Sequence, residues 1–270
     1  MLAAVAAHAS QTDLAIVAAM KLADAPNYSW SANIDDDART YAIDGQTNLA
    51  DKNDFSLVNM PMVAAVRRRI TRGTGNSDNQ MTAIFSGDEK LVIETPDGWR
   101  KPEQLSSPSD KSNSSRGGGM GGRRGRRGAG GGFPSGGETG SGLSAPAYSN
   151  LQLTLSRPHE ELGIIVAGYT DIKADGDTVT GTLSETAAKL LLVHPGQKEI
   201  TPLKASGTFR LWVKDGVLTK YEVKLEGTLA VVTNGDRHEI TVHQTATTDL
   251  KNVGTTKFDV PDEVKKKLGA

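Results

Sequence analysis

Ala205-Ser-Gly-Thr-Phe-Arg-Leu-Trp-Val-Lys-Asp-Gly-Val-Leu-Thr-Lys-Tyr-Glu-Val-Lys-Leu225 decides the fold, and the run continues to Val260. Phe209, Leu211 and Val213 alternate with Arg210, Trp212 and Lys214. Tyr221, Val223 and Leu225 alternate with Lys220, Glu222 and Lys224, and Ile240 and Val242 with Glu239, Thr241 and His243. A period of two means strands with one buried face and one wet face. Asp215-Gly216 and Asn234-Gly235 separate the runs, and both pairs accept the positive φ of a tight hairpin turn. The spacing predicts an antiparallel meander of long strands.

Upstream, Gln11 to Ala25 reads as an apolar helix stopped by Pro26. Tyr28, Trp30, Ala32 and Ile34 then alternate with polar residues as a strand. Asp35-Asp36-Asp37 lacks the spaced ligands and glycine of a calcium loop and reads as a polar turn. Thr40–Leu49 and Asp54–Met60 are the next strands, and Met62–Ile70 suits a short helix or a strand. Met81–Phe85 and Leu91–Glu94 form a hairpin, after which Asp97-Gly98 turns into Trp99.

The composition collapses over 106–142, which holds nearly half of the 30 glycines together with Arg116, Arg123, Arg124, Arg126 and Arg127. So little apolar surface cannot offset the entropy of ordering, and the segment is expected to be a disordered basic loop. A nucleic-acid-binding tract would interleave aromatics, but Phe133 stands alone, so RNA or DNA is the weakest of the partner readings. The expected organisation is therefore a leader remnant over 1–10, one half of a domain over 11–105, the insert over 106–142, and the second half over 143–270. The leader reading rests on Ala7-His8-Ala9, a small-x-small pattern of signal-peptidase sites.

In the second half, Ser156 and Pro158 start a helix with Leu162, Ile165 and Val166 as its stripe. Asp175-Gly176 turns a hairpin between Ile172-Lys173 and Thr178–Leu183. Ser184 caps a helix whose apolar face is read as Ala187, Leu190 and Leu191. Pro261-Asp262-Glu263 begins a last helix ending in Lys265, Lys266 and Lys267, an order that suits the helix dipole.

Net charge is −1, which gives no global field toward nucleic acid or anionic membrane. Hydrophobic residues make up 37%, and no run is long enough for a membrane-spanning helix. There is no cysteine, which excludes disulfides, thiolate metal sites, a cysteine nucleophile and a lipid-bearing cysteine in this sequence. His238 and His243 fall on opposite faces of a strand, and no zincin, nucleophile-elbow or phosphate-loop pattern occurs. The expectation is a non-enzymatic protein that needs no cofactor.

Three stretches carry a resemblance. Asp97-Gly98-Trp99 follows a hairpin, and Gly181-Thr182-Leu183-Ser184 leads a strand into a short helix. Leu211-Trp212-Val213-Lys214-Asp215-Gly216 with Leu218-Thr219-Lys220 is a strand, turn and strand. In that order they resemble the periplasmic lipoprotein-carrier superfamily, which includes the outer-membrane lipoprotein carriers and mycobacterial lipid-binding lipoproteins. Pro26–Trp30 and Val260–Leu268 also look like a group of secreted bacterial proteins with no assigned function. The resemblance implies an α+β fold: a strongly curved antiparallel half-barrel whose concave face is covered by helices, with an acyl chain bound between them. It implies a protein that binds or carries a lipid or an acylated protein, and the leader-like start makes a periplasmic or secreted location the expectation. The competing reading is a structural or adaptor protein of the envelope, with the sheet as scaffold and the basic insert as the contact to an envelope partner. The inward set Trp30, Ile34, Phe85, Phe209, Leu211, Tyr221 and Val223 is the expected ligand lining, with core packing as the alternative for each.

Overall fold

The computed structural model describes residues 11–37, 39–50, 54–61, 80–87, 90–102, 104, 156–193, 200–233 and 236–269. The basic insert, Met62–Ile70, the Asn234-Gly235 turn and the leader-like 1–10 lie outside the described residues. The protein is α+β, and its described residues form eleven antiparallel strands in one open sheet ordered β6-β5-β4-β3-β2-β1-β11-β10-β9-β8-β7. The sheet curves as a half-barrel whose concave face is covered by helices.

Helix α1 (Gln11–Asp24) leads into β1 (Asn27–Asp36), β2 (Arg39–Asn48) and β3 (Phe55–Pro61). Strands β4 (Gln80–Phe85), β5 (Leu91–Thr95) and β6 (Gly98–Arg100) complete that wing. The second wing begins with helix α2 (Pro158–Gly168), β7 (Tyr169–Asp175), β8 (Thr178–Leu183) and helix α3 (Glu185–Leu192). The long strands β9 (Ile200–Lys214), β10 (Val217–Thr233) and β11 (Asp236–Lys251) follow, and helix α4 (Asp262–Leu268) ends the chain. One ladder joins the wings: β1 pairs with β11 from Ser29↔Lys251 to Asp36↔Gln244.

The meander alternates with period two in β9 and β10. Leu211 faces Tyr221 and Phe209 faces Val223 across the β9–β10 ladder, and all four are buried on one face. Asp215 and Gly216 adopt φ of 52° and 73°, the left-handed pair that a two-residue hairpin needs. Ile240 departs from the expectation, being 44% exposed. The β1 ladder stops opposite Gln244, so in the described register Asp236–His243 pair with β10 alone. Asp35 and Asp36 belong to β1 rather than to a turn. Asp37 does sit in the turn, and its carboxylate accepts from the His243 backbone N–H at 2.8 Å.

The concave face is packed by α1 through Ala15, Ala18, Ala19 and Leu22, and by α2 through Leu162 and Ile165. Helix α3 contributes Ala187, Ala188 and Leu192, which corrects the expected face: Leu190 points outward and Leu192 inward. Large rings fit against the sheet because glycines lie beneath them. Trp30 pairs with Gly45, and a Cβ at Gly45 would stand 2.2 Å from the indole Cε2. Phe209 covers Gly181 in the same way, with its Cζ 2.4 Å from where a Cβ would be.

A second cluster lies on the other face of β3–β5. Phe55, Ile84 and Val92 pack there with Val260, Val264 and Leu268, so α4 covers the side that α1–α3 do not. Strand β5 is thereby buried on both faces, which accounts for three consecutive apolar residues, Leu91-Val92-Ile93.

Gly45→Ala is expected to cost about 1–3 kcal/mol, because Trp30 cannot retreat into a filled core. Urea unfolding of the variant checks this; an unchanged midpoint would show that the ring is free to move.

Candidate functional site

The seven expected lining residues come together in one buried cluster beneath the helices. Trp30, Ile34 and Tyr221 also line a cavity of about 30 Å³ with Pro158, Glu161 and Thr248. That volume suits a water, not a chain of methylenes. Phe85, Phe209, Leu211 and Val223 line neither this cavity nor the larger one described next. Leu211 is 0% exposed, and Leu211→Ala is expected to cost about 2–5 kcal/mol in equilibrium unfolding. A loss well under 1 kcal/mol would show a site already short of packing.

The larger cavity, about 670 Å³, is a cleft between α2 and α3. Its volume falls in the range of small-molecule sites, roughly 300–1,000 Å³. Helix α2 contributes Glu160, Glu161, Gly163, Ile164, Ala167 and Gly168. Across from it stand Ser184, the α3 N-cap, and Thr186, Ala187 and Leu190. The helices touch where α2 ends: a Cβ at Gly168 would lie 2.3 Å from the Ala187 Cβ. From that contact the cleft extends toward Glu160, Glu161 and Leu190. The wall is mostly aliphatic, and Leu190 stays 43% exposed within it.

Two tyrosines tie the first turn of α2 to the sheet. Tyr28 of β1 meets His159 Nδ1 at 2.7 Å and accepts from the His159 backbone N–H at 3.4 Å. Tyr221 of β10 donates to Glu161 Oε2 at 2.5 Å. Ahead of them, Arg157 is buried, donates to the Asp54 carbonyl oxygen at 3.1 Å and pairs with Glu160. Glu160 in turn accepts from the Arg157 backbone N–H at 3.2 Å, half of a capping box, with Pro158 in the first helical turn.

Burial dominates the electrostatics here. It pushes the Glu161 carboxyl up to about 7; the Tyr221 hydrogen bond pulls the other way and the Glu160 charge adds to the rise. Burial, aided by the Arg157 charge, pushes His159 down to about 4 and keeps its imidazole neutral. A neutral ring that accepts the Tyr28 hydroxyl proton at Nδ1 carries its own proton on Nε2. Burial would also raise Glu160, but hydrogen bonding and charge from Arg157 outweigh it and hold that carboxylate low.

Glu161 and the α2–α3 cleft leave almost no trace in the sequence. The only local signal is a pair of acids in the first turn of a helix, which the dipole alone explains. Among the described residues no group of His, Cys, Asp or Glu is placed to hold a metal ion. No helix among them is long and apolar enough to cross a membrane.

No family model matches the chain, and no curated protein does. Among solved structures it is similar to the crystal structure of a DUF1329 family protein from Desulfovibrio piger. The identity is 13%, over 93% of this chain and 94% of the other, with a TM-score of 0.27, too low to support an argument from likeness.

Glu161 gives a pH signature. Its ordinary value is 4.5 and its folded value about 7, so between them the folded protein keeps a proton that the unfolded chain has released. The resulting stability is complete below about pH 4.5 and is lost as pH rises to 7. His159 acts in the opposite sense from 6.5 down to about 4, because the unfolded chain takes up the proton first. Glu161→Gln keeps an acceptor for Tyr221 and removes only the first effect. The stability difference, variant minus wild type, should therefore climb between pH 5 and 7.5; a pH-independent difference would contradict a buried carboxyl.

Proposed function

We propose that the protein binds or carries an apolar ligand, a lipid or a single acyl chain, without chemical transformation, in the bacterial cell envelope. The observation that supports this is the aliphatic cleft between α2 and α3. Ile164, Ala167 and Leu190 offer surface to a chain, and neutral hydroxyls of Ser184 and Thr186 border it. The arrangement favours binding over catalysis because the hydrogen bonds of Tyr28 and Tyr221 hold α2 to the sheet. Those groups seat the helix rather than confront a reacting atom. The cleft, not the packed inward faces of β9 and β10, is the site in this reading. The assignment to the envelope comes from the sequence: the small-x-small pattern and the resemblance to the periplasmic carriers.

Two measurements test it. Protein purified from a bacterial envelope should yield stoichiometric lipid on organic extraction and mass spectrometry. A neutral apolar dye that fluoresces on leaving water should bind the emptied protein. Leu190→Glu should abolish that signal while moving the melting temperature by only a few degrees, since the side chain is largely exposed already. Wild type that carries no lipid and binds no dye would remove the proposal.

A further inference from the structure

We infer that the cleft selects a cationic amphiphile, its chain lying between α2 and α3 and its ammonium head meeting Glu161. This rests on reading the cleft as the ligand site, and goes further by fixing the sign of the head group.

Among the described residues the charged side chains lining the cleft are two carboxyls, Glu160 and Glu161; the remaining polar ones, Ser156, Ser184 and Thr186, are neutral. The nearby cations are turned to other work. Arg157 is buried, bonded to Glu160 and to the Asp54 carbonyl, and is absent from the wall. Lys189 of α3 pairs with Glu185 at 2.8 Å and is likewise absent from the wall. A fatty-acid carboxylate or a phosphate would face Glu161 with no cation among the described lining residues.

An ammonium reverses each of these terms. It presents three donors to carboxylate oxygens and forms the shorter, stronger class of charged hydrogen bond. Tyr221 already engages Oε2 of Glu161, so the carboxyl is held in place before a ligand arrives. The geometry also orders the ligand end to end. The helices close on each other at Gly168 and Ala187, leaving the acids toward the opposite end of the cleft. An aliphatic tail therefore fills the closed end, past Ile164 and Ala167, and the head lies by the first turn of α2.

The test uses the full chain at pH 8, above the titration of Glu161, with the neutral dye as reporter. Dodecylamine, dodecanol and dodecanoate share one chain and differ in head charge. Below micelle-forming concentrations, dodecylamine should displace the dye about tenfold more tightly than dodecanol, and dodecanoate more weakly than either. Glu161→Gln, its fold checked by circular dichroism, should bring dodecylamine down to the level of dodecanol. If dodecanoate matches or exceeds dodecylamine, or the variant keeps the amine preference, the charge selection is wrong while apolar binding stands. If none of the three displaces the dye and the dye itself does not bind, both readings fall. The wild-type ranking decides the matter even if the variant does not fold.

Discussion

An open sheet that curves as this one does presents an apolar concave face that must be kept dry. Everything else follows from that requirement. A single helix could not cover the inward residues of eleven strands, and α1, α2 and α3 share the task. Their small residues, Ala15, Ala18, Ala19, Ala187 and Ala188, let the backbones approach the sheet closely. Helix α2 is seated by more than apolar contact, since Tyr28 and Tyr221 reach it from strands on either side of β11. Hydrogen bonds are directional where hydrophobic burial is not, so they fix the rotation of α2 and hence which of its faces meets α3.

That rotation creates the cleft. With Leu162 and Ile165 committed to the core, Ile164 and Ala167 are turned toward α3. Gly168, which has no Cβ, lets α2 meet α3 at Ala187, and this contact closes one end of the cleft. Glu161 is the cost of the arrangement: a carboxyl drawn into an apolar setting and bonded to one phenol, so that its titration moves up to about 7. A site with one such group is poised to discriminate ligands by charge, because the energy of ionising it depends on what lies alongside.

Much of the sheet was legible in the sequence, and little of the cleft was. Strand parity in β9 and β10 survives from sequence to structure because Phe209, Leu211, Tyr221 and Val223 must all face one way, and a slip by one residue would expose them all. Asp215-Gly216 announced its turn through backbone chemistry alone. The buried face of α3 is ambiguous from sequence because three successive leucines, 190–192, satisfy more than one helical stripe. Glu161 was invisible for a different reason. Its burial depends on Tyr221, 60 residues further on, and on the seating of a helix against strands from both wings. Periodicity reports which face of an element is apolar, not what stands opposite it.

The β1–β11 ladder has a consequence for the order in which the protein is made. Ser29 is partnered by Lys251, whose carbonyl accepts the serine hydroxyl 222 residues later in the chain. At ribosomal rates of roughly 5–20 residues per second, β1 leaves the tunnel roughly ten to forty seconds before its partner exists. Through that interval the first wing can pair β1 with β2, but the other edge of β1 stays open, with Tyr28, Trp30 and Ile34 uncovered. The nascent chain therefore presents a sticky strand edge for most of its synthesis. A holding chaperone, or a delay of folding until the whole chain has been released, would serve this topology better than folding from the N-terminus onward.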